Sequence, residues 1–266
     1  VNVSFILKKL GMNNTALGFK AGFTGQFIED ELHKEGIQTQ FVNVDGITRI
    51  NVFTQVVSTS EEFKLVNQGP SVSQLQEEAL LKIIENMNTE DFLFVSGSHP
   101  EGITYTTYEK IAKTAQIRGF KLILDTSADF VPDLLKYRPY LIKPNDEELA
   151  EWFGLINPSL EEIKDCGQKL LEKGAENVLV SLGEKGAILF TPTETIHVTA
   201  PKGEVVNTAC AGDTLLATFV GSQLLGLSDE EALIKAVAAG SSTAFRPGLT
   251  DFSDVPTLMQ QIKRIL

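Results

Sequence analysis

Short apolar runs recur along the chain at Thr15 to Phe19, Phe92 to Ser96, Lys121 to Asp125, Tyr140 to Ile142 and Asn177 to Leu182. Most are separated by stretches with apolar residues three and four apart. Buried runs alternating with helices of about a dozen residues are the signature of βαβ units. The pattern therefore predicts an α/β fold with a mainly parallel central sheet and helices on both faces. Residues 39–67 break this rhythm with three strand-like runs, QFVNV, TRINVFTQVV and EFKLV, joined by polar turns. They predict a small antiparallel lid, a device that closes over a substrate and fits equally an edge used for subunit contacts. After Thr195 the pattern turns helical, at Ala211 to Leu225, Ser228 to Phe245 and Ser253 to Leu266. At the other end, Val3, Ile6, Leu7 and Leu10 share one helical side. The chain starts there without Met, so the helix reads as already under way, with residues expected ahead of Val1 and no signal-peptide pattern.

The 266 residues are long enough to bury a substantial core and read as a single domain, 1–266, with the lid as an excursion. A net charge of −12 argues against a nucleic-acid surface, which needs clustered Lys and Arg. No run of eighteen apolar residues suggests a membrane span. The two cysteines, Cys166 and Cys210, lie far apart without metal or disulfide spacing, which fits a reducing cytoplasm.

Four segments carry candidate chemistry. In Asn207-Thr-Ala-Cys-Ala-Gly-Asp213, small residues lead into a predicted helix, whose free amides and positive dipole end favour an anion. Asp213 there could take a proton, or serve as an ordinary N-cap. In Lys143-Pro-Asn145-Asp-Glu-Glu148, a strand's carboxyl end opens a helix, the edge at which parallel sheets bind ligands. Asn145 and Glu148, three apart, could hold magnesium directly or through its waters, or form a capped acidic first turn. Ser181-Leu-Gly183-Glu-Lys185-Gly186 is a tight turn whose amides suit phosphates, and which also reads as a plain hairpin. Arg49 on the lid and Ser96 in SGSHPEG suit a phosphate, although a strand Arg is often simply solvated. His99, beside Pro100, is assigned no catalysis. There is no G-x-x-x-x-G-K-S/T loop and no G-x-G-x-x-G fingerprint, so a nucleotide must be bound some other way.

Taken in order, Gly22-Phe-Thr-Gly25, TRINV, SGSHPEG, KPNDEE, SLGEKGA, the AGD of residues 211–213 and AAGSSTAFRPG resemble the ribokinase-like, pfkB-type sugar kinases over nearly the whole chain. The resemblance implies a three-layer α/β/α fold and transfer of a phosphoryl group from Mg-ATP. It implies Asp213 as the base, with Cys210, Ala211 and Gly212 forming the anion hole before it. Asn145 and Glu148 organise magnesium and nucleotide, and Ser181, Gly183 and Gly186, with Gly212, hold the nucleotide. Arg49, Ser96, Asn2 and Gly22 fall at the substrate. A homodimer through the lid and a monovalent cation near Thr208 and Gly248 are further implications. Within the family the wording is similar to the 1-phosphofructokinase branch, which converts fructose 1-phosphate to fructose 1,6-bisphosphate; tagatose 6-phosphate is the alternative acceptor.

Three departures stand out. The family's opening strand and G-G-K-G segment do not precede Val1, SGSHPEG replaces SGSLPPG, and Cys210 replaces the first glycine of GAGD, straining the turn if that residue takes positive φ. Cys210 also motivates an alternative of another class, a sugar-phosphate-binding regulator with weak turnover.

Overall fold

The computed structural model describes residues 1–56 and 61–265. Along the chain run α1 (Asn2–Lys9), β1 (Thr15–Lys20), α2 (Gly22–Lys34), β2 (Gln38–Asn43), β3 (Val52–Val56), β4 (Glu61–Leu65) and α3 (Gln74–Ile84). Then follow β5 (Phe92–Ser96), α4 (Tyr105–Arg118), β6 (Lys121–Asp125), α5 (Val131–Leu134), β7 (Leu141–Ile142), α6 (Asp146–Phe153) and α7 (Leu160–Glu172). The remainder is β8 (Val178–Ser181), β9 (Ala187–Phe190), β10 (Thr195–Val198), α8 (Ala211–Leu224), α9 (Asp229–Ala244), α10 (Val255–Met259) and β11 (Arg264–Ile265).

The central sheet has seven strands in the order β11-β10-β9-β8-β7-β6-β5. β5 to β8 are parallel neighbours, and β9 to β11 extend the sheet antiparallel. Alternation along each strand divides the core in two. Leu122, Leu124, Val178 and Val180 face α4 and α7, whereas Ile123, Leu179, Ile196 and Val198 face α8, α9 and α10. This is the three-layer arrangement that the periodicity predicts. α8 is buried almost all round, from Thr214 to Ser222, and α1 packs on it through Val3, Ile6 and Leu7, the side expected from the sequence.

Three expectations are corrected. QFVNV is not part of the lid: β2 pairs in parallel with β1 across α2, as a βαβ unit. Thr48 to Asn51 is not a strand either, because Thr48 is tied to the start of α2. Its Oγ1 accepts from the Ala21 amide at 2.9 Å and its carbonyl from Thr24 Oγ1 at 2.8 Å. The lid is therefore the antiparallel pair β3 and β4, with residues 57–60 of the expected excursion outside the described residues. Likewise the final helix ends at Met259. The chain then forms β11 against β10, covering an edge that would otherwise be open, and Arg264 pairs with Glu194 and Glu230.

Among the described residues, no helix is long and apolar enough to cross a membrane.

Candidate active site

Ser96, Asn145 and Ser181 lie at the carboxyl ends of β5, β7 and β8, and Cys210 to Asp213 lie at the start of α8. α8 begins after Cys210, which has φ 67° and ψ 0°, in the left-handed region. A non-glycine residue there is strained, as the sequence reading anticipated. Burial pushes the pKa of its thiol up and the Asp213 charge adds to the shift, which disfavours the thiolate. The helical ladder starts with the Thr214 amide bonding Cys210 O at 2.9 Å, so the Gly212 and Asp213 amides lie ahead of it as potential anion donors. Asp213 stands in the first helical turn and is not the N-cap, which removes the ordinary alternative for it. Its Oδ2 accepts from Asn2 Nδ2 at 2.7 Å, and the same amide reaches Cys210 Sγ at 3.1 Å.

At the end of β7, Asn145 and Glu148 form a reciprocal cap. Asn145 Oδ1 accepts from the Glu148 amide at 2.7 Å, and Glu148 Oε2 accepts from the Asn145 amide at 2.9 Å. The capping role weighed for them is thus real, and it fixes the Glu148 carboxylate at the sheet edge. Asn145 also bridges in parallel to Ser181, whose amide bonds Pro144 O at 3.1 Å, so the two segments expected to hold a nucleotide are neighbours. The Ser181 turn does join antiparallel strands as a hairpin, through a 3-10 turn at Gly183–Lys185. Only glycine fits position 186: φ is 100°, and an added Cβ would lie 1.9 Å from Val198 O.

The lid side converges less completely. Arg49 Nη2 donates to Ser98 Oγ at 2.6 Å, in the SGSHPEG loop that also carries Ser96. Ser96 itself ends β5 exposed, in register with Asp125 of β6. Gly22 opens α2 with φ 58°; a Cβ there would meet Gly46 O at 2.8 Å, so its glycine lets the 46–48 loop pack close.

Two charged residues that the sequence reading left unassigned sit among these. Lys143 Nζ lies 3.0 Å from Asp125 Oδ1, with side chains 6% and 14% exposed. Burial pushes the Asp125 carboxyl up. Lys143 pulls it back, and the charges of Asp213 and Glu148 push it up further, so the three carboxylates share one field around one ammonium. The signal was available: both residues close predicted strands at the ligand-binding edge. No group of three or more His, Cys, Asp or Glu among the described residues is placed to hold a metal ion. The excess carboxylate charge nevertheless suits a magnesium ion that keeps its waters and arrives on phosphates.

Residues 1–257 match the pfkB family carbohydrate kinases. The chain is 50% identical over 264 residues to a D-tagatose-1-phosphate kinase of Bacillus licheniformis, covering 99% of this chain and 86% of that one. It is 37% identical over 263 residues to a 1-phosphofructokinase of Bacillus subtilis, with the same coverage, 99% and 86%. The phosphofructokinase-2 of Escherichia coli, solved with substrates and products, superposes with a TM-score of 0.91 at 25% identity, over 98% of this chain and 86% of that one. With its three-layer sheet and the order of its motifs, the chain belongs to the pfkB family of carbohydrate kinases, phosphotransferases with an alcohol acceptor.

Proposed function

We propose that this kinase transfers the γ-phosphoryl group of Mg-ATP to the 6-hydroxyl of a ketohexose 1-phosphate. The observation that carries the reading is the placement of Asp213, held by Asn2 in the first turn of α8 beside the Gly212 amide. A carboxylate there can accept the proton of an attacking hydroxyl while the adjacent amides meet the charge on the phosphoryl oxygens. Asn145, Ser181, Gly183 and Gly186 line the nucleotide side. Magnesium would neutralise charge between phosphates, with Glu148 and Asn145 orienting its waters. On the lid side, Arg49 and Ser98 hold the acceptor's own phosphate, with Ser96 beside them.

Fructose 1-phosphate is the acceptor expected from the motifs. D-tagatose 1-phosphate, its epimer at C4, is the second reading, supported by the name of the relative at 50% identity. The named tagatose substrate carries phosphate on C1, unlike the 6-phosphate considered from the sequence.

The lid ribbon supports a homodimer. Val52 and Leu65 are paired across it, Phe63 lies on the same face, and they are 45%, 61% and 58% exposed, an apolar face suited to a second copy.

ADP release with Mg-ATP, measured on fructose 1-phosphate, tagatose 1-phosphate, tagatose 6-phosphate and unphosphorylated sugars, tests the proposal. Turnover on one ketohexose 1-phosphate is expected to fall about 1,000-fold in Asp213→Asn. Undiminished turnover in that variant overturns the assignment of the base, and binding without turnover returns the regulator reading.

A further inference from the structure

At the opposite edge of the sheet from the candidate active site, the amino ends of β6, β7 and β8 and the last turn of α4 enclose a cavity of about 260 Å³. Lys121 opens β6 and Asp125 closes it, so about 13 Å of extended strand separates the two regions. The cavity has an apolar floor, in which Phe120 and Leu122 are 4% and 2% exposed. The rings of Tyr137 and Tyr140 also line it, and both are fixed through their hydroxyls. Tyr137 donates to Glu109 Oε1 at 2.9 Å and Tyr140 to Gln223 Oε1 at 3.1 Å. Anchored rings, an apolar floor and a few charged groups are the make-up of a small-molecule site.

The charged groups are Lys121, Arg138 and Glu176. Lys121 Nζ lies 3.7 Å from Glu176 Oε2 and 5.3 Å from the centre of the Tyr140 ring. Arg138 is exposed, and its guanidinium makes no ion pair or hydrogen bond among the described residues. Its backbone stands at φ 56° and ψ 59°, in the left-handed region, which strains a residue with a side chain. Neighbouring bonds hold it there: its amide donates to Leu135 O at 2.9 Å, and the Glu176 amide donates to Pro139 O at 3.0 Å. A strained, well-held backbone thus presents an uncommitted guanidinium at a cavity that already holds a second cation, the kind of outlier that marks a site.

We propose that this cavity is a second binding site, for a small hydroxylated phosphate monoester. Arg138 takes two phosphate oxygens through its planar fork, Lys121 adds a point charge, and Glu176 accepts from a hydroxyl of the ester. The carbon skeleton lies against Phe120 and the tyrosine rings. Charge selects the class: on a chain of net charge −12, an anion is held only where cations gather locally. Size narrows it, because a cavity of about 260 Å³ falls below the range of about 300 to 1,000 Å³ that drug-sized ligands occupy, and a whole nucleotide is too large for it.

The test is calorimetric titration of the full chain with glycerol 3-phosphate and 3-phosphoglycerate, beside inorganic phosphate and glycerol. It compares the parent with Arg138→Gly, Lys121→Met and Arg49→Ala. Glycine is at ease at φ 56°, so Arg138→Gly removes the guanidinium without endangering the fold, and its kinase turnover should match the parent's. At least one ester is expected to bind, with inorganic phosphate about tenfold weaker and glycerol not binding. Arg138→Gly should weaken the ester about tenfold or more and Lys121→Met about fivefold, as for the loss of one charged contact. Arg49→Ala, which disables the phosphate grip at the acceptor side, should leave the affinity within about twofold of the parent's. Binding that disappears in Arg49→Ala and persists in Arg138→Gly belongs to the acceptor site and overturns the proposal. Failure of both esters to bind at millimolar concentration overturns it as well. Inorganic phosphate binding as tightly as the esters overturns the assignment of an ester.

Discussion

Asn2 and Asp213, 211 residues apart in the chain, share a hydrogen bond of 2.7 Å that sets the direction of the carboxylate at the head of α8. The contact is possible because α1 lies along α8, seated by Val3, Ile6 and Leu7 against Ala217. Asn2→Ala frees the carboxylate to rotate and is expected to lower kcat about tenfold with little change in melting temperature, since small misplacements at a reacting centre are costly. Asn2→Asp sets two carboxylates together, raising the pKa of one of them. Its rate should therefore begin to fall at a higher pH than the parent's as the solution is acidified. A pH–rate profile with an unmoved acid limb would contradict the assignment of Asp213 as base.

Cys210 carries the second expectation. Relief of its left-handed strain, worth about 1–2 kcal/mol, is largely offset by the extra unfolded-state freedom of glycine, about 0.5–1 kcal/mol. Cys210→Gly should keep stability within about 1 kcal/mol of the parent and retain turnover. Cys210→Val, branched at Cβ in the same conformation, should lose about 1–3 kcal/mol in denaturant titration. Equal stability of the two variants would show that the turn relaxes around any side chain.

Glu148 does two tasks that one substitution separates. Glutamine can still accept from the Asn145 amide, so Glu148→Gln should preserve the cap and the melting temperature. The carboxylate charge is lost, and the magnesium concentration for half-maximal rate should rise about tenfold or more, as for other groups that orient a metal's shell. Glu148→Ala should show the same magnesium effect plus about 1 kcal/mol of lost stability. An unchanged magnesium dependence in both would remove Glu148 from the metal's surroundings.

His197 on β10 makes stability pH-dependent. It is 5% exposed and both ring nitrogens lack a hydrogen-bond partner. Burial lowers its pKa below the usual 6.5 and the Lys164 charge adds to this, the nearby Lys185 backbone offsetting a part. A base whose folded pKa is depressed leaves the unfolded chain binding more protons, so the neutral ring's contribution is intact above pH 6.5 and is lost as pH falls toward the lower folded value. Between pH 7.5 and 5 the parent should therefore lose more unfolding free energy than His197→Phe. Parallel curves for the two proteins would remove His197 as a source of the pH dependence.

The two parts of the site differed in how plainly the chain announced them. Asn145, Glu148 and Ser181 were legible because each belongs to a local device, a cap or a tight turn, whose geometry follows from neighbours in sequence. The bond from Arg49 to Ser98 was not legible, because it joins segments 49 residues apart whose meeting is set by packing. Lys143 and Asp125 were passed over because neither is unusual on its own strand. Their significance comes from the parallel pairing of β6 with β7, which puts opposite charges side by side at one buried edge.

The chain by itself determined the alternation of helix and strand, the apolar side of α1, the helix starting at Ala211 and the chemistry lodged in short motifs. These follow from spacing, capping and turn preferences, which act over a few residues. Tertiary structure alone decided that β2 lies parallel to β1, that the segment after Met259 closes the sheet edge as β11, and that Asn2, Asp125 and Lys143 meet around Asp213 and Gly212. Strand partners and buried charge neighbours are chosen by which surfaces must be covered together, and that choice is made only when distant segments pack.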